Sequence, residues 1–186
     1  MYNGVVRSPF AVLVAGLGFM AACGADDGGG DGGDDVPALA YCDPARGWSP
    51  TATALEAEIV SIVNQRRQAG ATCGGQAMPA VAPLTADPAL RCAARVHTRD
   101  MADRGFFDHT NPSGEQPWDR MELAGYLWSN AGENIAAGNA TAAATMQQWM
   151  GSSGHCSNIM NADYVHLGVG HVESGALWTQ VFGAPR

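Results

Sequence analysis

The chain of 186 residues contains no lysine; its ten basic residues are all arginine, and they are scattered along the sequence. A nucleic-acid surface needs a basic stripe or patch, so that class of partner is excluded. From Val36 onward nine arginines stand against thirteen acidic residues, which leaves that part of the chain mildly acidic. No CxxC pair occurs among the five cysteines, so thiol-redox and zinc-ribbon chemistry has no support. Nor does any apolar run reach the roughly 20 residues of a comfortable membrane-spanning helix. There is no internal repeat.

The first third is not ordinary globular sequence. Arg7 precedes an uncharged stretch from Ser8 to Cys23 that carries Phe10, Val12, Leu13, Val14, Leu17, Phe19 and Met20. A short positive segment, an apolar segment and then small residues make a secretory signal peptide over residues 1–22. The stretch closes on Met20-Ala21-Ala22-Cys23, which resembles the bacterial lipobox, with methionine where leucine is usual; Cys23 would then be acylated. Gly24 to Asp35 holds only glycine, alanine and aspartate, with nothing to bury. Glycine makes it flexible and the like charges extend it, so residues 23–40 read as a solvated tether after an anchor. The folded domain is expected over residues 41–186.

Cys23 accounts for the odd cysteine. Cys42, Cys73, Cys92 and Cys156 remain, and in an exported domain four cysteines suggest two disulfides with three possible connectivities. Cys73–Cys92 with Cys42–Cys156 is the preferred set, because the first bridge would tie the end of one helix to the next.

Apolar periodicity predicts a helix over Thr53 to Ala69, with Leu55, Ile59, Ile62 and Val63 on one face and Arg66 and Arg67 in its last turns. Ala71 to Ala86 reads as a loop. Asp87-Pro88 reads as an N-cap and first helical residue, and the helix should run to Arg104 and stop at Gly105. Leu90, Ala94, His97 and Met101 share a face, so His97 points inward. Phe106 to Gly114 is a turn-rich loop, Trp118 to Ala124 a short helix, and Ala131 to Gly138 a short strand. Thr141 to Ser152 is helical, with Ala142, Met146, Trp149 and Met150 on one face. Gly154 to Asn161 reads as an irregular turn, and Tyr164–Val172 with Ala176–Phe182 as a hairpin. On that hairpin His166 and His171 alternate with apolar residues and should face solvent. Helices first and a hairpin last argue for an α+β domain, with helices covering a small antiparallel sheet.

Three polar residues stand in unusual settings. His109 follows two phenylalanines in a loop; Glu133 interrupts an apolar segment between Gly132 and Asn134; His155 lies just past a helix end. A buried carboxylate needs a partner, and a carboxylate between two imidazoles also suits a divalent cation such as zinc. Each has a plainer reading: a surface loop histidine, a carboxylate capping its own loop, an imidazole satisfying helix carbonyls. His97 reads as a hydrogen-bonded core residue. Spacing alone does not assemble a site from them.

Several motifs occur together: HTRDMADRGFFDHT (97–110), AGY (124–126), AGENIAAG (131–138), WMGSSGHCSNIMN (149–161), LGVG (167–170) and WTQVFG (178–183), with VNQRR in the first helix. In this order they resemble the CAP superfamily of cysteine-rich secretory proteins, antigen 5 and pathogenesis-related 1, in its bacterial branch. The resemblance implies an α-β-α sandwich with a cleft. By motif, His109 matches the first histidine of the eukaryotic cleft, Glu133 the glutamate of the GEN motif, and His155 the histidine of the bacterial branch. The second acid of the eukaryotic set falls at Ser152, and its second histidine has no counterpart before Trp178-Thr179-Gln180. The cleft is thus expected to hold His109, Glu133 and His155, with Asn134 holding the loop and no resident cofactor beyond a weakly held divalent metal such as zinc. The expected role is a monomeric, non-catalytic envelope domain, touching the membrane through its lipid anchor and binding a small apolar ligand or an envelope component. The alternatives are a metal-assisted hydrolase with Glu133 as base, and a structural spacer. Ser152 and Ser153 lie near His155 without a recognisable nucleophile motif, and Cys156 beside it is a weak nucleophile candidate, because a disulfide would consume it.

Overall fold

A computed structural model of the chain describes residues Asp35–Arg186. The expected signal segment and the expected lipidation residue Cys23 lie outside them. A 3-10 turn over Ala40–Ala45 leads into helix α1 (Pro50–Ala69), then strands β1 (Ala71–Cys73), β2 (Gln76–Met78) and β3 (Thr85–Ala86). Helices α2 (Pro88–Arg104) and α3 (Pro117–Leu123) follow, then β4 (Trp128–Ala136), α4 (Ala142–Gly151), α5 (Ser153–Ile159), β5 (His166–Val172) and β6 (Leu177–Pro185).

The helices start where local chemistry satisfies their first amides. Ser49 accepts from Ala52 N ahead of Pro50, Asp87 accepts from Ala89 N and Leu90 N ahead of Pro88, and Thr141 accepts from Ala144 N. α2 ends on Gly105 in the left-handed conformation, as its sequence predicts. α1 begins three residues earlier than its periodicity indicates, because Ser49-Pro50 supplies the cap and the first turn.

The main sheet runs in the order β3-β5-β6-β4. β5–β6 and β6–β4 pair antiparallel, while β3 adds a two-residue parallel edge on β5. The sheet is therefore mixed, not purely antiparallel as expected. It separates two cores. One face carries Leu167, Val169, Trp178 and Phe182 against Ile59, Val63, Met146, Trp149 and Ile159 of α1, α4 and α5. The other carries Val181 against Leu90, Ala93, Ala94 and Met121 of α2 and α3. α2 lies directly on β5: a Cβ on Gly168 would sit 2.0 Å from the Leu90 carbonyl carbon, and one on Gly170 2.6 Å from that of Ala94. The LGVG segment is the seat of that helix, and only hydrogen fits between the two backbones. Thus helices cover both faces, giving the α-β-α sandwich.

Buried ion pairing locks the layers. Arg95 of α2 binds Glu56 of α1 through Nη2 at 2.7 Å, and Glu56 also accepts from the backbone N of His171 in β5 at 2.9 Å. Arg67, expected only to complement a helix dipole, is fully buried. It donates to the carbonyls of Ala82, Ile159 and Asn161, fastening the chain between β2 and β3 to the end of α5.

The disulfides are Cys42–Cys92 and Cys73–Cys156, which overturns the preferred connectivity. The reason is the sheet. Cys42 and Cys92 belong to the core under α2 and α3; Cys73 and Cys156 belong to the core on the opposite face. A Cys73–Cys92 bridge would have to cross the sheet. Three further expectations change. Gly154–Asn161 is mostly helix α5, whose roughly two turns hold Cys156 for its bridge. Ala71–Ala86 contains the β1–β2 hairpin and β3, strands too short to leave a periodic signal. His171 is buried and stacked on Trp178 at 3.7 Å between ring centroids, and His166 is half-buried with Nδ1 2.8 Å from the Tyr126 hydroxyl. Both hairpin histidines lose solvent because both faces of β5 are covered.

Candidate functional site

β4 is an edge strand, and its alternation sends successive side chains to opposite faces. Glu133 points toward α2 and α3, where its side chain is 1% exposed. One oxygen, Oε1, lies 2.8 Å from His109 Nδ1, and the other, Oε2, accepts from Arg120 Nη2 at 2.8 Å. Arg120, on α3, is equally buried and also donates to the carbonyls of His109 and Glu115, both at 2.9 Å. It therefore fixes the backbone of the histidine loop and the carboxylate beneath it at once.

His97 lies under the same carboxylate, 3.8 Å from Oε1, with Nε2 3.0 Å from the Asp108 carbonyl. It is the hydrogen-bonded core residue its helical face predicted. Burial pushes its pKa down to about 4, against the pull of Glu133. His109 is the half-exposed member. Its hydrogen bond to Glu133 raises its pKa above the ordinary histidine value, outweighing partial burial. A carboxylate on Nδ1 fixes the ring and leaves Nε2 outward.

Asn134 faces the other side of β4. It donates to the His155 carbonyl at 3.2 Å and to Gln180 Oε1 at 3.1 Å, and its own Oδ1 accepts from Asn158 at 2.9 Å. Asn158 also donates to the Glu133 carbonyl at 3.3 Å. The GEN segment is thus clamped from both faces: Glu133 by Arg120 and His109, Asn134 by α5 and β6. His155 is carried on α5 beside this edge. It makes no hydrogen bond to His109 or Glu133; its Nδ1 is buried with no hydrogen-bond partner among the described residues. Burial lowers its pKa, and the charge of His109 lowers it further, so the two imidazoles share one electrostatic neighbourhood.

The structure therefore brings His109 and Glu133 into contact, sets His155 near them through charge alone, and uses Asn134 to hold α5 on the strand. Sequence reasoning missed Arg120, Gln180 and Asn158. Arg120 sits between Asp119 and Met121 in a seven-residue helix, and nothing in that pattern distinguishes a buried arginine from a surface one. The donor set does not fit a resident zinc. Both Glu133 oxygens are engaged, one by a guanidinium, and among the described residues no group of three or more His, Cys, Asp or Glu is arranged to hold a metal ion. Cys156 is consumed by its disulfide, so it is no nucleophile.

Residues 60–182 match the cysteine-rich secretory protein family, CAP, and the chain belongs to that family. It is 39% identical over 130 residues to the uncharacterized protein YkwD of Bacillus subtilis, covering 70% of this chain and 47% of that protein. It is 30% identical over 123 residues to the uncharacterized membrane protein YlbC of the same species, covering 66% of this chain and 33% of that protein. The chain thus spans less than half the length of these two relatives. Among solved structures, an extracellular SCP-domain protein of Bacillus anthracis superposes with a TM-score of 0.63 at 27% identity, over 73% of this chain and 44% of that one. An outer surface protein of Borrelia burgdorferi superposes with a TM-score of 0.57 at 17% identity, over 72% and 91%, and shares the fold.

Proposed function

We propose that this chain is an exported, lipid-anchored CAP domain that recognises a small apolar ligand or an envelope component at the His109–Glu133–His155 edge without catalysing a reaction. The observation that carries the non-catalytic reading is the state of Glu133. A general base must be free to take a proton from water. Here one carboxylate oxygen is tied to a buried guanidinium and the other orients an imidazole. Among the described residues no serine hydroxyl bonds either His109 or His155, and the nearby Cys156 thiol is oxidised. What the edge offers is an oriented imidazole nitrogen beside a second imidazole. Phe107, two residues before His109, and Trp118, two residues before Arg120, are both exposed, and they supply apolar surface.

Two disulfides suit an oxidising compartment, and the Bacillus anthracis and Borrelia burgdorferi proteins are described as extracellular and outer-surface. Acylation of Cys23, with the Gly/Asp tether behind it, would hold the domain off a membrane surface.

Mass spectrometry of small molecules extracted from the purified protein tests recognition: an apolar compound retained by the wild type and lost from His109→Ala is expected. Equal retention would refute the assignment of this edge. For the anchor, Cys23→Ser should shift the protein from the membrane fraction to the soluble exported fraction. A wild-type protein that is already soluble would refute it.

A further inference from the structure

A cavity lies away from the Glu133 edge, between the start of α1, α2 and the β5–β6 turn. It has a volume of about 220 Å³, and its wall includes Trp48, Ser49, Arg99, His171, Glu173 and Ser174. Two of these side chains carry polar atoms that the fold leaves open.

The first is His171, 2% exposed and stacked on Trp178. Its Nδ1 lies 3.0 Å from the Leu177 carbonyl, which can only accept, so Nδ1 carries the proton. Nε2 is then an acceptor on the cavity side, with no hydrogen-bond donor among the described residues. A nearly buried imidazole held in one tautomer, with its acceptor turned to a cavity, calls for a donor from outside.

The second is Arg99. Its guanidinium carbon lies 4.8 Å from the Trp48 ring centroid, beside Arg95 at 5.1 Å on the same indole. Arg95 is neutralised by Glu56. Among the described residues Arg99 forms no ion pair, although stacking on Trp48 restricts its orientation. Among the described residues the acid on the cavity wall is Glu173, which instead takes a hydrogen bond from Ser49 Oγ at 3.1 Å. The wall therefore presents one oriented cation, two acceptors (His171 Nε2 and Glu173) and the Ser49 and Ser174 hydroxyls.

We infer that this cavity is a second binding site, for a small hydroxylated carboxylate of the uronic-acid kind, whose carboxylate pairs with Arg99 and whose hydroxyl donates to His171 Nε2. A simple carboxylate leaves the histidine unanswered; a neutral sugar leaves the arginine so. The site is independent of the Glu133 edge, and none of the residues placed there contributes to it.

The test uses the full chain with histidine labelled by nitrogen-15 and D-glucuronate as the probe. Acetate is the carboxylate-only control and D-glucose the hydroxyl-only control. Glucuronate should shift the His171 Nε2 resonance saturably, with Kd on the order of a millimolar, while acetate and glucose act at least about tenfold more weakly. Arg99→Gln, at a partly exposed position, should weaken glucuronate about tenfold while the chain stays folded and loses only the Trp48 stacking. No saturable shift up to about 50 mM would overturn the site. So would an undiminished response in Arg99→Gln, or glucose binding as well as glucuronate.

Discussion

Arg120→Met puts the central ion pair to a quantitative test. The substitution keeps much of the side-chain volume but removes the guanidinium that faces Glu133 Oε2 at 2.8 Å, with both side chains 1% exposed. It also strips the donors from the His109 and Glu115 carbonyls. Breaking one side of a buried ion pair costs about 3–5 kcal/mol, because the remaining charge stays desolvated. His109 still bonds Oε1, which limits the loss, while the orphaned carbonyls add to it; about 4 kcal/mol is expected. For a domain of this size that corresponds to a fall in Tm of roughly 8–16 °C. Urea unfolding at neutral pH is the assay, with the m-value required to stay constant. In the double variant Arg120→Met/Glu133→Gln the buried charge is gone, and roughly 2 kcal/mol should return. A single variant losing under about 1 kcal/mol, or a double variant as unstable as the sum of the singles, would refute the clamp described for this edge.

Four other outcomes follow from the same structure. Glu133→Gln should lower the His109 pKa toward the ordinary histidine value, read by NMR titration of the imidazole; an unmoved pKa would mean that the carboxylate does not set it. Burial pushes the His97 pKa down to about 4 in the fold, against the ordinary histidine value of about 6.5, so the unfolded chain binds its proton first as pH falls. Its contribution is complete above pH 6.5 and declines as pH falls toward 4, by roughly 2 kcal/mol at pH 5. Burial of His155 and His171 acts in the same direction, whereas His109 acts oppositely, its contribution being complete below pH 6.5 and lost as pH rises through its raised pKa. His97→Asn should therefore flatten the stability profile between pH 7 and 5, and an unchanged slope would exclude His97 as its source. Non-reducing peptide mapping should recover Cys42–Cys92 and Cys73–Cys156, and removing the latter, which closes a separation of 83 residues, should cost about 2–5 kcal/mol in chemical denaturation. Gly170→Ala should destabilise by more than about 3 kcal/mol, since its Cβ would meet the α2 backbone rather than a movable side chain; a melt within 2 °C of wild type would contradict the close seating of α2.

Local chemistry made much of this protein legible in one dimension. The Asp87-Pro88 start and Gly105 stop of α2, the inward face of His97, the strand around Glu133 and the final hairpin all follow from capping, helical periodicity and turn residues, which act over a few positions. Family motifs carried His109 and Glu133 to a common edge. The remainder depended on which side of the sheet each element packs, and no local pattern records that. Cys42 and Cys92 share one core and Cys73 and Cys156 the other, so bridge partners were decided by layers rather than by neighbouring helix ends. His166 and His171 alternate like solvent-facing residues, yet helices cover both faces of β5. Arg120 resembles any arginine on a short helix until tertiary packing brings it over a buried carboxylate, where a full charge is tolerated only because its opposite lies 2.8 Å away.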